Sequence, residues 1–337
     1  KVRFVTFQMR DLYTVFNLSN EFKKCSITHL ILHPQDNLYL GQTIIDKIYY
    51  KIFDQRNFSN SKILKFNQKL LHNLNNKKSL ISMSEIINLF WEKTFQIKIP
   101  KNRIVPLPSF KVINRDIEDK CIRNNKIIWI GRLVDFKIPS ILAMINFISN
   151  QTNYEFSIVG DGDIKKIQDY IDRYKLDTKR IHFLGKVPYD KLGEVIKKHS
   201  IGYGMGTSLI ELAKYKIPVI VALASLDHKL FKNQICGGLF FNKSKGYDGT
   251  DLILKSPESI GTFIGPTIKE IELDYDQISK RCWDFAKNEF SENENFSKYV
   301  EIIQNSSELN SLDKKTQIPS VGFLRSLLHK NFWNNEI

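Results

Sequence analysis

Two rhythms of apolar residues alternate along this chain, short runs rich in β-branched and aromatic side chains and longer stretches with helical spacing. Residues 1–7 (KVRFVTF) predict a strand. A helix is expected over 12–22, and a largely apolar second strand over 27–32 stops at His33-Pro34. Apolar spacing predicts further helices over 43–53 and 64–74. Residues 79–83 predict a short strand leading into a helix over 84–95, with Ser82 or Ser84 as its N-cap. Strand and helix in alternation imply a parallel sheet.

Residues 104–126 read as a polar linker, with Pro106 and Pro108 near its start. The pattern then becomes more regular. Strands are predicted over 126–130 (KIIWI), 156–159, 181–184, 200–203 and 219–222, with helices between them over 140–148, 164–174, 189–198 and 209–215. This is a doubly wound α/β domain of Rossmann type, closed by two acidic and aromatic helices over 275–303. The expected division is 1–108, 109–304 and a tail, 305–337. The first domain is expected to be incomplete or to lack segments, because the chain opens on Lys1 rather than Met and has only Gly41 before residue 131. The tail segment 321–332 is amphipathic as a helix: Val321, Phe323, Leu324, Leu327, Leu328 and Phe332 are apolar, while Arg325, Ser326, His329 and Lys330 fill other positions. It is expected to return to the first domain or to lie on a membrane surface.

Composition narrows the class. Across 337 residues, 42% hydrophobic and 26% charged is an ordinary globular balance, and the length suits two domains. Cys25, Cys121, Cys236 and Cys282 form no CxxC pair, which argues against a zinc site or a disulfide framework and suits a reducing compartment. No apolar run approaches the length of a membrane span, and no signal peptide is visible. The formal net charge is +14, and residues 1–110 hold 17 Lys+Arg against 7 Asp+Glu, a net of +10. That imbalance points to an anionic partner for the first domain, whether nucleic acid, anionic lipid or a phosphorylated acceptor. An AT-rich genome, with its surplus of Lys and Asn codons, accounts for it equally well.

In an open parallel sheet, ligands bind beyond the C-terminal ends of the strands, so the chemistry belongs in the loops there. After KIIWI comes Gly131-Arg132-Leu133-Val134-Asp135-Phe136-Lys137. Gly131 admits close backbone approach, and Arg132 and Lys137 converging on a diphosphate would hold it and neutralise a leaving phosphate. Solvated side chains on a turn are the plain alternative. Gly160-Asp161-Gly162 gives a tight turn into a helix whose N-terminus attracts phosphate or a sugar hydroxyl. Gly185-Lys186-Val187-Pro188 could place backbone groups against a nucleobase. Gly204-Met205-Gly206-Thr207-Ser208 runs into a helix with free first-turn amides that suit a β-phosphate. Glu211 follows one turn later and could accept from ribose hydroxyls, although the helix dipole alone would favour a Glu there.

Taken in order, GRLVDFK, IVGDG, HFLGKV and GMGTSLIELAKYKIPVIV resemble the donor domain of retaining GT-B glycosyltransferases of family 4, over about residues 104–304. The GMGTSLIE form is similar to transferases of bacterial surface polysaccharide assembly, such as those building O-antigen or capsule. The resemblance implies an α/β GT-B fold, two Rossmann-like domains facing a cleft. It implies that Arg132 and Lys137 grip the donor diphosphate, that the Thr207 and Ser208 amides take the distal phosphate, and that Glu211 binds the ribose. Gly131, Gly160, Gly162, Lys186, Val187 and Gly206 complete the nucleotide site. It further implies transfer with retention, no metal and no cofactor beyond a UDP-, GDP- or dTDP-sugar donor. The acceptor would be a saccharide or a polyprenyl-diphosphate-linked saccharide, and the protein cytoplasmic, peripheral to the inner face of the plasma membrane. Three departures stand out. Tyr203 occupies the position of the family's first Glu, Ile138 replaces the Gly after the phosphate-gripping Lys, and the first domain lacks a glycine-rich opening loop.

In the first domain, His33 is the candidate to bond the sugar or orient the acceptor, since it ends an apolar strand. Asp36 is its companion, while His29 reads as structural and Glu85 as a surface residue at a helix start. Two other classes compete: a sugar-nucleotide epimerase or phosphorylase on the same architecture, and a basic nucleic-acid-binding protein. The second would interleave basic and aromatic groups as at Tyr49-Tyr50-Lys51, but no recognition motif accompanies them, so nucleic acid is not an expected partner.

Overall fold

In the computed structural model the described residues are 2–32, 62–111, 123–150, 153–225, 229–243, 245–247 and 261–309. The helix expected over 43–53, the amphipathic segment 321–332, and both His33 and Asp36 lie outside them. Contacts divide the chain into two compact units, one running to Val105 and resumed from Phe296, the other between Pro106 and Asn295.

The first unit is built on three parallel strands in the order β1 (Val2–Thr6), β2 (Cys25–Ile31), β3 (Leu80–Ser82). β2 is buried over its whole length, as a central strand covered on both faces must be. His29 on β2 is fully buried, and its Nδ1 bonds the Thr6 hydroxyl at 2.8 Å. Helices α1 (Met9–Leu18), α2 (Lys62–Asn76) and α3 (Glu85–Phe95) accompany the strands. Ser84 caps α3, its Oγ accepting from the Ile87 amide at 3.2 Å. Ser84→Ala is expected to cost about 1 kcal/mol, the usual loss when a capping hydroxyl is removed, read as a lower urea midpoint with an unchanged slope.

The second unit carries a five-stranded, all-parallel sheet in the order β6-β5-β4-β7-β8. Its strands are β4 (Lys126–Ile130), β5 (Glu155–Val159), β6 (Ile181–Gly185), β7 (Ile201–Gly204) and β8 (Val219–Val221). The central strand β4 is apolar without alternation, while the edge strand β6 alternates buried and exposed residues. Crossovers are α4 (Ile138–Asn150), α5 (Ile164–Tyr174), α6 (Tyr189–Ile196) and α7 (Thr207–Ala213). α4 is buried on nearly every side, as its IPSILAMINF run requires. Beyond β8 come the short α8 (Lys229–Asn233), an antiparallel pair β9 (Ile235–Cys236) and β10 (Thr262–Phe263), and helices α9 (Ile264–Leu273), α10 (Tyr275–Glu289) and α11 (Glu292–Asn305).

Two boundaries differ from expectation. The sequence places a linker from residue 104, yet the Val105 amide donates to the Ser82 carbonyl at 2.8 Å, so residues 104–105 extend the first sheet. The second domain is expected to run to 304, but α11 from Phe296 onward groups with the first unit. Tyr299 and Ile302 pack with Leu30, Ile81 and Val105, and the Tyr299 hydroxyl donates to the Val105 carbonyl at 2.7 Å. The aromatic residues of this helix read equally well as a core for either unit.

Candidate functional site

β4 is the first strand of the second unit and also its middle one. The chain leaves it toward β5 on one side and returns to β7 on the other, so the C-terminal ends of β4 and β7 mark the topological switch point of the sheet. The loops after these strands therefore border the crevice where such sheets bind ligands.

The loop after β4 is held from several sides. The Trp129 indole N–H donates to the Gly131 carbonyl at 3.1 Å, and the Gly131 amide donates to Val159 at 3.0 Å. The Leu133 amide donates to Asp161 at 2.7 Å and the Leu133 carbonyl accepts from Asp163 at 2.9 Å. On its far side the Phe136 carbonyl accepts from the Ser225 amide at 2.8 Å. Gly160 and Gly162 serve this clasp. A Cβ on Gly160 would sit 2.9 Å from the Gly131 carbonyl carbon, and one on Gly162 would sit 2.9 Å from the Leu133 carbonyl carbon, each nearer still to the oxygen. Packing of one loop on the next thus accounts for both glycines without a ligand.

Within this frame lie two cations. Arg132 is exposed. Lys137 is half-buried and stands just before α4, where the positive end of the helix dipole disfavours an ammonium. Its Nζ lies 6.0 Å from the ring centroids of both Trp129 and Phe136. It is also 3.3 Å from where a Cβ on Gly131 would be. Burial, and then the charge of Arg132, lower the Lys137 pKa from its ordinary value. The one acid of the loop, Asp135, is engaged elsewhere, paired with Lys166 at 2.7 Å. Among the described residues no carboxylate pairs with Arg132 or Lys137.

After β7, the helix α7 starts at Thr207, two residues earlier than its apolar spacing predicts. Gly206 makes the entry with φ +68° and ψ −145°, a conformation other residues avoid, and nothing lies within 4 Å of where its Cβ would point. Thr207 is exposed, and the half-buried Ser208 turns its hydroxyl back to donate to the Met205 carbonyl at 2.8 Å. The amides of Thr207 and Ser208 stand in the first turn, where no intrahelical acceptor exists.

One turn on, Glu211 is not the exposed helix-start carboxylate that the dipole alone would explain. Its side chain is only 15% exposed, and its Oε2 accepts from the Lys214 ammonium at 2.8 Å. The same oxygen accepts from the Tyr189 hydroxyl at 3.3 Å. Tyr189 opens α6 directly after Lys186-Val187-Pro188, so this contact joins the loop after β6 to α7. Lys186 is exposed and Val187 half-buried. Neither Tyr189 nor Lys214 was among the sequence candidates. Lys214 was legible as an i,i+3 partner of Glu211, whereas no sequence signal links Tyr189 to a helix eighteen residues on.

Tyr203, where the sequence resemblance leads one to expect a Glu, is a core residue. Its ring packs on Trp129 and Phe156, and its hydroxyl donates to the Ser140 carbonyl at 3.1 Å. Burial pushes its pKa up, so it stays neutral. Ile138 is likewise buried, as the first residue of α4. His33 lies outside the described residues. Among those described, no cluster of three or more His, Cys, Asp or Glu could hold a metal, and no helix is long and apolar enough to cross a membrane.

By sequence, no family profile and no curated protein matches the chain. Solved structures do match by fold. Sucrose-phosphate synthase from Thermosynechococcus elongatus aligns with a TM-score of 0.55 at 13% identity, over 90% of this chain and 73% of that one. Anabaena HepE in complex with UDP-glucose aligns at 0.52 and 15% identity, over 89% and 78%. TarM aligns at 0.54 and 15% identity, over 89% of this chain, which spans about half (54%) of TarM. These are GT-B proteins, and the chain has that α/β fold, with two Rossmann-like units.

Proposed function

We propose that the chain is a glycosyltransferase that takes a sugar from a nucleotide-sugar donor and transfers it, with retention, to a saccharide or lipid-linked saccharide acceptor of bacterial surface polysaccharide assembly. The observation that carries the reading is the pair Arg132 and Lys137 at the switch point, like charges in one loop with no carboxylate partner among the described residues. Burial, a neighbouring guanidinium and a helix N-terminus all oppose the Lys137 ammonium. A donor diphosphate arriving there would offset all three with its own negative charge.

In this reading the diphosphate lies across Arg132 and Lys137, its distal phosphate near the Thr207 and Ser208 amides. Glu211 takes the ribose, and the backbone of Lys186 and Val187 meets the base. The bond from the anomeric carbon to the β-phosphate oxygen breaks while the two cations stabilise the departing charge. The acceptor hydroxyl attacks the same face and its proton passes to the leaving phosphate oxygen. His33 remains the proposed sugar or acceptor contact. Crystal complexes of the fold relatives with UDP, and of HepE with UDP-glucose, make UDP the first donor nucleotide to try.

The lowered pKa of Lys137 supplies a test with a definite sign. A lysine whose native pKa is depressed binds fewer protons folded than unfolded. Its stabilising contribution is present above the unfolded pKa and lost as pH falls through the lowered one. At neutral pH the ammonium is therefore a cost, and a bound diphosphate returns the pKa toward its ordinary value. UDP binding is expected to take up a proton at alkaline pH, and UDP affinity to fall as pH climbs through the lowered Lys137 pKa. Calorimetry in two buffers of different ionisation enthalpy measures the uptake. Binding without proton uptake in the native chain, or equal uptake in Lys137→Met, would remove the diphosphate from Lys137.

A further inference from the structure

In the proposed glycosyltransferase, on which this inference rests, Glu211 takes the donor ribose. Lys214 and Tyr189 have no part in that role, yet both converge on one oxygen of this carboxylate. The Glu211 and Lys214 side chains are 15% and 10% exposed, so the pair is largely withdrawn from water. An exposed i,i+3 ion pair adds little to stability. A withdrawn one is no safer as a source of stability, because desolvating two charges offsets their attraction. An aliphatic residue at position 214 would bury more simply, so stability alone gives a poor account of Lys214.

The geometry gives a better one. Oε2 of Glu211 receives the Lys214 ammonium at 2.8 Å and the Tyr189 hydroxyl at 3.3 Å. Oε1 receives no donor among the described residues. Two donors from two different helices, α7 and α6, thus occupy one carboxylate oxygen. They restrict rotation of the carboxylate and leave its other oxygen as a fixed acceptor.

We propose that Lys214 and Tyr189 are positioning residues that fix Glu211 with Oε1 presented to the ribose 2′-hydroxyl, making the site selective for ribonucleotides over 2′-deoxyribonucleotides. An oriented acceptor that is withdrawn from water loses more when its donor hydroxyl is missing than a freely rotating, hydrated carboxylate does. Selectivity should therefore depend on what holds Glu211 as well as on Glu211 itself.

The test titrates the full chain with UDP and 2′-deoxy-UDP, and with GDP and 2′-deoxy-GDP, by calorimetry. The native chain is expected to prefer the ribonucleotide of one pair by roughly tenfold, the scale of one hydrogen bond to a charged group. Lys214→Met should remove most of that preference by weakening the ribonucleotide alone. Tyr189→Phe should reduce it a few-fold, and Lys214→Arg should restore part of it. Retained 2′-deoxynucleotide binding in each variant shows that the site is still folded. If Lys214→Met does not fold, Tyr189→Phe carries the test by itself. A native preference that survives unchanged in the folded variants overturns this proposal and leaves the nucleotide site standing. A native chain that binds neither UDP nor GDP overturns both.

Discussion

Lys137→Ala is expected to lower the rate of nucleotide release from a sugar donor by on the order of 10²–10³-fold, the usual loss when one preorganised charge-stabilising donor is removed. Arg132→Ala is expected to do the same. The double variant should fall short of the product of the two, since both groups act on one diphosphate. Stability should move the other way. The Lys137 ammonium is opposed by burial and by Arg132 at neutral pH, so removing it is expected to leave the melting temperature unchanged or slightly higher. A loss of rate without loss of fold is what distinguishes a ligand-directed cation from one that supports the loop. Rates are read as released nucleotide diphosphate with UDP-glucose as the first donor, and melting by calorimetry. Near-native rates in both single variants would end the assignment of the diphosphate to this pair. A melting temperature several degrees lower in Lys137→Ala would make the ammonium a structural group.

How far sequence reaches differs between the two units. In the second, strand bounds read from apolar runs agree with the structure within a residue or so, because each strand is short, β-branched and buried. The helix α9 is not legible in the pattern. Gly265 and Pro266 look like a loop, whereas a proline in the first turn of a helix loses no hydrogen bond. In the first unit, Tyr299 of α11 packs with Leu30 of β2, Ile81 of β3 and Val105, residues 194 or more positions away, and local pattern carries no such information. Site residues divide in the same way. The cation pair was legible because both members lie in one loop after one strand. Glu211 was legible as a helix-start carboxylate, but not its withdrawal from solvent or the hydrogen bond it accepts from Tyr189 of another helix. Tyr203 is the instructive departure. The resemblance to family 4 sets it where a Glu is expected, and the packing of Trp129, Phe156 and the Ser140 carbonyl around it accounts for an aromatic side chain there.

The largest loss of stability is expected from Gly160→Ala. At φ +149° this residue occupies a backbone region that L side chains rarely adopt, and its missing Cβ leaves the space taken by the Gly131 carbonyl. Strain of that kind costs roughly 1–3 kcal/mol. Forcing a methyl into a closed contact adds about as much again. For a unit of this size the melting temperature should fall by roughly 5–15 °C. The neighbouring backbone cannot yield cheaply, because Gly131 is also held by Val159 and by the Trp129 indole. What yields must carry Arg132 with it, so UDP affinity should fall in whatever fraction of Gly160→Ala remains folded. Gly206→Ala provides the contrast. Its added methyl meets open space, so only the backbone strain at φ +68° remains, and its melting temperature should fall by less than half as much. Were Gly160→Ala to melt within a degree or two of the native chain, the loops after β4 and β5 could not be in the contact that positions Arg132.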